Sequence, residues 1–257
     1  MRFLKENIDL KQFFEKVRFG SLLMLDYDGT LAPFVEDRMK AYPYSGINER
    51  LAALVRLKTT YVVIISGRRL EDLEKLLQLP DGIELWGSHG LEKKLSNGQT
   101  TTISMSPSLA EGIKLGIDIC HNKIDPKYYE AKPYGVALHW RGVTPAKRIE
   151  MENKVIGLWE KICEKGLLEI HQFDGGVELR PKGIGKGDAV NQIISEQGKT
   201  VAVAYLGDDQ TDEEAFAALG ERGLKILVRK EVRPSLADVQ LVPPDDLLVF
   251  LDRWIGD

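Results

Sequence analysis

The sequence predicts an α/β fold, a Rossmann-like parallel sheet core that carries an inserted α+β domain, and three observations lead there. Short apolar runs of strand length, such as Tyr61-Val-Val-Ile-Ile65, alternate with helical patterns, which is the signature of a parallel sheet covered on both faces. In the middle of the chain the order changes to helix-strand-strand-helix-strand-strand, an α+β unit and not more parallel sheet. The alternation then resumes. The expected core is therefore discontinuous, 1–105 with 183–257, and the insert spans 106–182. Short connections near Ser106 and Pro181–Gly187 join them, with no internal repeat and no low-complexity linker.

The elements follow in order. Leu22-Leu-Met-Leu-Asp26 is apolar up to its last residue and reads as a buried strand. Ile47 to Leu57 is a helix with apolar residues at Leu51, Leu54, Val55 and Leu57. Tyr61 to Ile65 is the second strand, Arg69 to Leu77 a helix that stops before Pro80, and Ile83 to Trp86 the third strand. Asn97-Gly98 marks a hairpin turn between Leu91–Leu95 and Thr100–Ile103. In the insert, Ser108 to Asn122 is an amphipathic helix, and Tyr128–Lys132 and Val136–Arg141 are antiparallel strands joined at Pro133-Tyr-Gly135. Pro145 to Cys163 is a long helix with proline near its start, where the missing N–H costs nothing. Leu167–His171 and Val177–Arg180 form a hairpin across Asp174-Gly-Gly176. The core then resumes with a helix over Lys186–Gln197, a strand over Val201–Leu206, a helix over Asp212–Leu219, a strand over Leu224–Val228 and a last helix over Leu247–Trp254.

Composition narrows the function classes. Of 257 residues 43% are hydrophobic and 29% charged, which excludes a disordered or collagen-like chain. Lys+Arg is 35 and Asp+Glu 39, a net charge of −4, so neither nucleic acid nor an anionic membrane surface is an expected partner. Cys120 and Cys163 cannot build a disulfide framework, suit a reducing cytosol, and read as helix-packing residues. The opening Met1-Arg-Phe-Leu-Lys-Glu-Asn-Ile-Asp9 mixes both charge signs and lacks the apolar centre of a signal peptide. No run approaches the roughly 18 apolar residues of a membrane span. A cytoplasmic monomer is expected.

The chemistry sits at strand ends. The first strand runs into Asp26-Tyr-Asp28-Gly29-Thr30, and in an open parallel sheet ligands bind beyond the carboxyl ends of the strands. Alone, Asp-x-Asp-Gly also fits an Asx-type turn. The strand Val201–Leu206, however, also ends in acids: Gly207-Asp208-Asp209-Gln-Thr211-Asp212-Glu213. Part of that is ordinary helix-start chemistry, but four acids in six residues exceed what a cap needs. Adjoining carboxylates repel, and a hard divalent cation with oxygen ligands resolves the repulsion; Mg2+ is the expected one. Ser66-Gly67-Arg68 closes the second strand, where a hydroxyl and free N–H groups suit phosphate oxygens or, equally, a helix cap. Lys186 lies between two glycines at a helix start, where a cation opposes the helix dipole and makes better sense opposite a phosphate or carboxylate.

Taken in order, Asp26-x-Asp28-Gly-Thr, Ser66, Lys186 and Gly207-Asp208-Asp209 with Asp212 resemble the four motifs of the haloacid dehalogenase superfamily of phosphotransferases, over essentially the whole chain. The insert falls between the second and third motifs, where that superfamily carries its larger caps. The resemblance implies that Asp26 attacks phosphorus and forms an aspartyl-phosphate, and that Asp28 protonates the leaving oxygen and then takes a proton from water. It implies Mg2+ held by the Asp26 and Asp208 carboxylates and the Asp28 carbonyl, and Ser66 and Lys186 on the phosphoryl oxygens. Asp209 and Asp212 would orient water on the ion and Lys186.

The insert is similar to a narrower family. Tyr129-Glu130-Ala-Lys132, Ala137-Leu-His139-Trp-Arg141 and Gly176-Val-Glu178-Leu-Arg180-Pro181 look like trehalose-6-phosphate phosphatases, as do Ile65-Ser-Gly67-Arg68, Gly87-Ser-His89-Gly90 and Gly207-Asp-Asp-x-Thr-Asp-Glu213. The resemblance implies sugar contacts from Glu130, Lys132 and Glu178, and a substrate-binding set that adds Gly67, Arg68, His89, His139 and Arg141. Spacing supports a shared face independently. Glu130 and Lys132, His139 and Arg141, and Glu178 and Arg180 are each two apart, so each pair lies on one side of its strand. A solvated face with cross-strand ion pairs is the plain alternative. Trp140 alternates to the other side and reads as packing. Two segments depart from the family: Arg229-Lys-Glu-Val-Arg233-Pro, where a glycine-containing turn is usual, and the aromatics around Tyr42–Tyr44. They leave room for glucosylglycerol phosphate or sucrose phosphate as substrate. Two non-enzymatic readings are weaker. A receiver-like domain is far shorter, and a silent sugar-phosphate sensor would have lost Asp26 or Asp28.

Overall fold

The computed structural model describes residues 1–78, 82–173, 175–198 and 201–256. Pro80 and Asp174, which the sequence marks as a helix stop and a hairpin turn, lie outside the described residues. The elements are β1 (Arg2–Phe3), α1 (Leu10–Val17), β2 (Ser21–Asp26), α2 (Ile47–Leu57), β3 (Thr60–Ile65), α3 (Leu70–Leu77), β4 (Glu84–Gly87), β5 (Glu92–Lys94), β6 (Thr100–Thr102), α4 (Pro107–Lys123), β7 (Tyr129–Lys132), β8 (Gly135–His139), α5 (Pro145–Cys163), β9 (Leu168–Phe173), β10 (Gly176–Pro181), α6 (Lys186–Gln197), β11 (Ala202–Gly207), α7 (Gln210–Leu219), β12 (Leu224–Val228), β13 (Val239–Leu241) and α8 (Asp245–Ile255). They fall into two compact units, Met1–Thr102 with Gly185–Asp257, and Ile103–Ile184.

The first unit is a nine-stranded sheet in the order β1-β13-β12-β11-β2-β3-β4-β5-β6. It is parallel from β13 to β4 and antiparallel at both edges. The parallel strands are apolar at nearly every position because each face meets helices. Leu23, Leu25, Val62, Ile64, Ala204 and Leu206 join one core with Leu51 of α2, Leu73 of α3 and Phe250 of α8. Their neighbours Leu22, Met24, Val63, Ile65, Val203 and Tyr205 join a second with Val190 of α6 and Phe216 of α7. Leu22 to Leu25 have no exposed surface, and burial stabilises each such side chain by about 1.5–3 kcal/mol. That anchorage fixes where Asp26, the next residue, stands.

The second unit is a four-stranded antiparallel sheet, β7-β8-β10-β9, backed by α4 and α5. Thr144 caps α5 ahead of Pro145, and Ser106 caps α4 ahead of Pro107. Val136, Leu138, Val177 and Leu179 pack onto Ile113 and Cys120 of α4 and Met151, Val155 and Trp159 of α5. Cys120 is buried among them, which pushes its thiol up to about 12; both cysteines are free. One expectation fails here. The strand carrying His139 ends at that residue. The chain turns through Gly142 at φ +76° with Val143 N–H on the Trp140 carbonyl, so Arg141 stands beyond the strand and shares no face with His139. Trp140 packs partly buried against the core of this unit.

Candidate functional site

In the first unit three parallel strands bring their carboxyl ends together. Asp26 pairs in register with Ile65, next to Ser66, and Leu25 with Leu206, one residue before Gly207. The loop after β2 turns at Gly29, whose φ is +84° and whose missing side chain admits the Asp208 carboxylate and the Phe34 ring. Gly29→Ala is expected to destabilise the fold by ~1 kcal/mol or more, read as a lower melting temperature. An unchanged melting temperature would contradict this packing.

The centre is a buried knot of charge. Asp26, Asp208 and Asp212 each offer an oxygen, all within 4.8 Å of one another. Lys186 Nζ donates to Asp26 Oδ1 at 2.6 Å and to Asp212 Oδ1 at 2.7 Å. Asp212 is further held by the Tyr205 hydroxyl at 2.6 Å and by the N–H groups of Asp208 and Asp209, both at 2.9 Å. It also closes the capping box of α7, with Asp209 as N-cap. Burial pushes the Asp26 carboxyl up to about 8, with Lys186 opposing and Asp212 and Asp28 adding to the rise. Asp208 is also raised well above its ordinary value, by burial first and then by Asp26 and Asp212. For Lys186 burial favours the neutral amine, but Asp212 and Asp26 outweigh it and hold the ammonium well above its ordinary range.

This knot fits a divalent cation. Three carboxyls face one ammonium, which when ionised leaves a surplus of two negative charges in a water-poor site. Asp26 Oδ2 and Asp208 Oδ1 are buried with no hydrogen-bond partner, as is Thr30 Oγ1. Orphaned carboxylate oxygens are costly unless something with positive charge takes them. The donor set is all oxygen, as a hard cation requires.

Asp28 stands apart from the knot. Its carboxylate takes a two-pronged bond from Arg68, Nε to Oδ2 and Nη2 to Oδ1, both 2.7 Å. Arg68 is 8% exposed, and its third nitrogen, Nη1, is buried without a partner. Ser66 Oγ accepts from the Arg68 N–H at 3.1 Å. His89 N–H donates to the Ser66 carbonyl at 2.9 Å, and its imidazole covers Gly67 so closely that a Cβ there would overlap it. Of the first-unit residues singled out in the sequence, Asp26, Asp208, Asp212 and Lys186 thus form one cluster. Asp28, Ser66, Gly67, Arg68 and His89 form an adjoining group, and Asp209 caps the helix. Tyr205 was missed; a lone hydroxyl in the run Ala-Val-Ala-Tyr-Leu, two residues before Gly207, was its signal.

The second unit carries a polar sheet face. Register places Glu130, Ala137, Glu178 and His171 in one row across four strands, and Lys132, Gly135, Arg180 and Glu169 in the next. Lys132 Nζ donates to Glu178 Oε1 at 2.9 Å and Arg180 Nε to Glu169 Oε1 at 2.9 Å. His139 Nε2 lies 3.3 Å from Glu130 Oε2, with the His139 ring edge-on to Phe173 at 5.7 Å. Gly135, Ala137 and Gly176 supply almost no side chain to the middle of this face, and the Phe173 ring and the Glu178 carboxylate close over the two glycines. Arg141, off the strand, covers Gly175.

Comparison with known proteins points one way. Residues 24–241 match the family model described as trehalose-phosphatase. A probable trehalose-phosphate phosphatase C of Arabidopsis thaliana is 29% identical over 252 residues, 91% of this chain and 76% of that protein. A trehalose-phosphatase of Schizosaccharomyces pombe is 27% identical over 90% of this chain, which spans 30% of its length. Among solved structures, the C-terminal domain of a C. albicans trehalose-6-phosphate phosphatase superposes with a TM-score of 0.82 at 20% identity, covering 100% of this chain and 99% of that one, a likeness of fold. No helix among the described residues is long and apolar enough to cross a membrane.

Proposed function

The chain belongs to the trehalose-phosphatase family, and we propose that it hydrolyses trehalose 6-phosphate to trehalose and inorganic phosphate through an aspartyl-phosphate on Asp26. It is a phosphoric monoester hydrolase. The observation that carries the mechanism is the buried carboxylate knot with an orphaned Asp26 oxygen. One oxygen of the Asp26 carboxylate forms the bond to phosphorus as the bond from phosphorus to the sugar oxygen breaks, and Asp28 delivers the proton to that sugar oxygen. Asp28 then takes a proton from the water that cleaves the aspartyl-phosphate, which restores Asp26 and releases phosphate. Arg68 takes both Asp28 oxygens in the structure, so it releases one of them when Asp28 carries that proton, and its Nη1 is left for an anion. Lys186 and Ser66 bind the transferring phosphoryl oxygens, and Asp212, fixed by Tyr205 and two N–H groups, aims Lys186. Gly67 lets His89 lie against the phosphate-binding turn.

Mg2+ is the cation of this reading, held by the Asp26 and Asp208 carboxylates and the Asp28 carbonyl, and when bound it supplies charge neutralisation to the phosphoryl group. We assign phosphoryl transfer to the first unit and sugar reading to the second. Glu130, Lys132, His139 and Glu178 on the polar face carry the hydroxyl contacts, and Arg141 reaches the sugar from the turn beyond that face. The two free cysteines suit a reducing compartment, and the reading places the enzyme in the cytoplasm.

The experiment is a phosphate-release panel over sugar phosphates, with Mg2+ and with EDTA. Fast release from trehalose 6-phosphate and weak release from glucose 6-phosphate, sucrose 6-phosphate and glucosylglycerol phosphate are expected, all lost in EDTA and restored by Mg2+. Equal turnover of every sugar monophosphate would overturn the substrate, and release in EDTA would overturn the cation.

A further inference from the structure

The segment after β12 is the one that departs from the family's usual glycine-containing turn, and its second arginine is tied to the acidic loop. Arg233 Nη2 donates to the Asp209 carbonyl at 2.7 Å and to the Asp208 carbonyl at 3.3 Å, and Nε reaches the same Asp208 carbonyl at 3.3 Å. The guanidinium is itself held. Nη1 donates to Glu213 Oε1 at 2.5 Å and to the Pro234 carbonyl at 2.9 Å. The other Glu213 oxygen accepts the Leu236 N–H at 2.8 Å. Only 17% of the Arg233 side chain is exposed. Arg229 reaches the Asp208 carbonyl more distantly, at 3.5 Å.

We propose that Arg233 is a positioning residue for the cation-binding loop, fixing the Asp208 backbone so that its carboxylate faces Asp26 and Asp212. The inference rests on the cation-dependent reading above. Asp208 is pinned on both sides. Its N–H is on Asp212 Oδ2 at 2.9 Å and its carbonyl is on Arg233. With both flanking peptide planes fixed, the Cα–Cβ bond of Asp208 is fixed too, which sets where its carboxylate starts from. A planar fork suits two successive carbonyls; a lysine offers one point of charge and cannot span them in the same way. Through-space electrostatics work against this placement, because a cation near a cation site weakens binding. Glu213, paired with the guanidinium, offsets that charge. Positioning and bare electrostatics therefore give opposite signs when Arg233 is removed.

The test is Mn2+ binding to the full chain, followed by electron paramagnetic resonance, for wild type, Arg233→Met and Arg233→Lys. Wild type should bind one Mn2+ per chain. Both variants should bind it roughly tenfold to a hundredfold more weakly, the range seen when groups behind metal ligands are lost. The Mg2+ concentration for half-maximal phosphate release should rise by a similar factor, while turnover at saturating Mg2+ stays within about threefold. A purely structural arginine would lower melting temperature and turnover without this split. Arg233→Lys keeps the charge and a donor, so it carries the test if Arg233→Met fails to fold. Unchanged Mn2+ affinity in Arg233→Lys, or tighter binding in Arg233→Met, would overturn the proposal. Failure of wild type to bind Mn2+ would instead overturn the cation-dependent reading on which it stands.

Discussion

Asp26→Asn is expected to lower turnover of trehalose 6-phosphate by roughly four orders of magnitude or more, the scale on which loss of a covalent nucleophile acts. The substitution keeps shape and keeps an acceptor for Lys186, which lies 2.6 Å from Asp26 Oδ1, so the fold should survive. It also removes one ionisable carboxyl from a buried group with an excess of negative charge, so melting temperature in EDTA should hold or rise. A fall in turnover without a fall in melting temperature separates chemistry from unfolding. Asp28→Asn should behave differently. It leaves the attacking oxygen in place, so a substrate with a good leaving group should still phosphorylate Asp26, seen as a burst of leaving group in rapid-quench kinetics. Near-native turnover in Asp26→Asn would end the covalent reading.

What the sequence discloses and what it withholds divide along a physical line. Strands β2, β3 and β11 are legible because burial on both faces demands uninterrupted apolar runs. Helix α5 is legible because Thr144-Pro145 marks its start. Helix α1 escapes although α3, equally eight residues long, does not: only Leu10 and Val17 of α1 are buried, against five residues of α3, and β13 escapes because three residues carry no pattern. Arg141 misleads because alternation continues on paper after His139, whereas the backbone turns at Gly142. The composition of the site follows from ordered motifs, but its wiring does not. Lys186 meets Asp26 across 160 residues of chain and Lys132 meets Glu178 across 46. The packing of α6 on the sheet creates the first pair and the sheet register the second. Arg233 shows the same limit. Its segment stands out in the sequence as unusual, yet its purpose depends on carbonyls 24 and 25 positions earlier.

The polar sheet face gives the second large effect, and its sign separates sugar reading from scaffold. Lys132 and Glu178 form a pair whose side chains are 11% and 5% exposed. Removing one partner strands a buried charge, so Lys132→Ala or Glu178→Ala alone mixes lost recognition with a stability cost of roughly 3–5 kcal/mol. Replacing both at once, Lys132→Met with Glu178→Leu, removes the charges together, a change that is often neutral or stabilising. If the pair serves only the fold, this double variant keeps full kcat/KM for trehalose 6-phosphate. If it holds sugar hydroxyls, kcat/KM should fall about tenfold to a hundredfold or more, since a hydrogen bond to a charged group contributes about 1.5–3 kcal/mol. Glu130→Ala, in the same row as Glu178, should fall alike. A small aryl phosphate presents no sugar, so its hydrolysis should be nearly unchanged in all of these variants, because remote contacts act only through the substrate that makes them. Ser66→Ala and Lys186→Ala should damage both substrates, since the phosphoryl group is common to them. Circular dichroism and melting curves establish that each variant is folded. Equal losses on both substrates in these sheet-face variants, or no loss on either, would return this face to the role of scaffold.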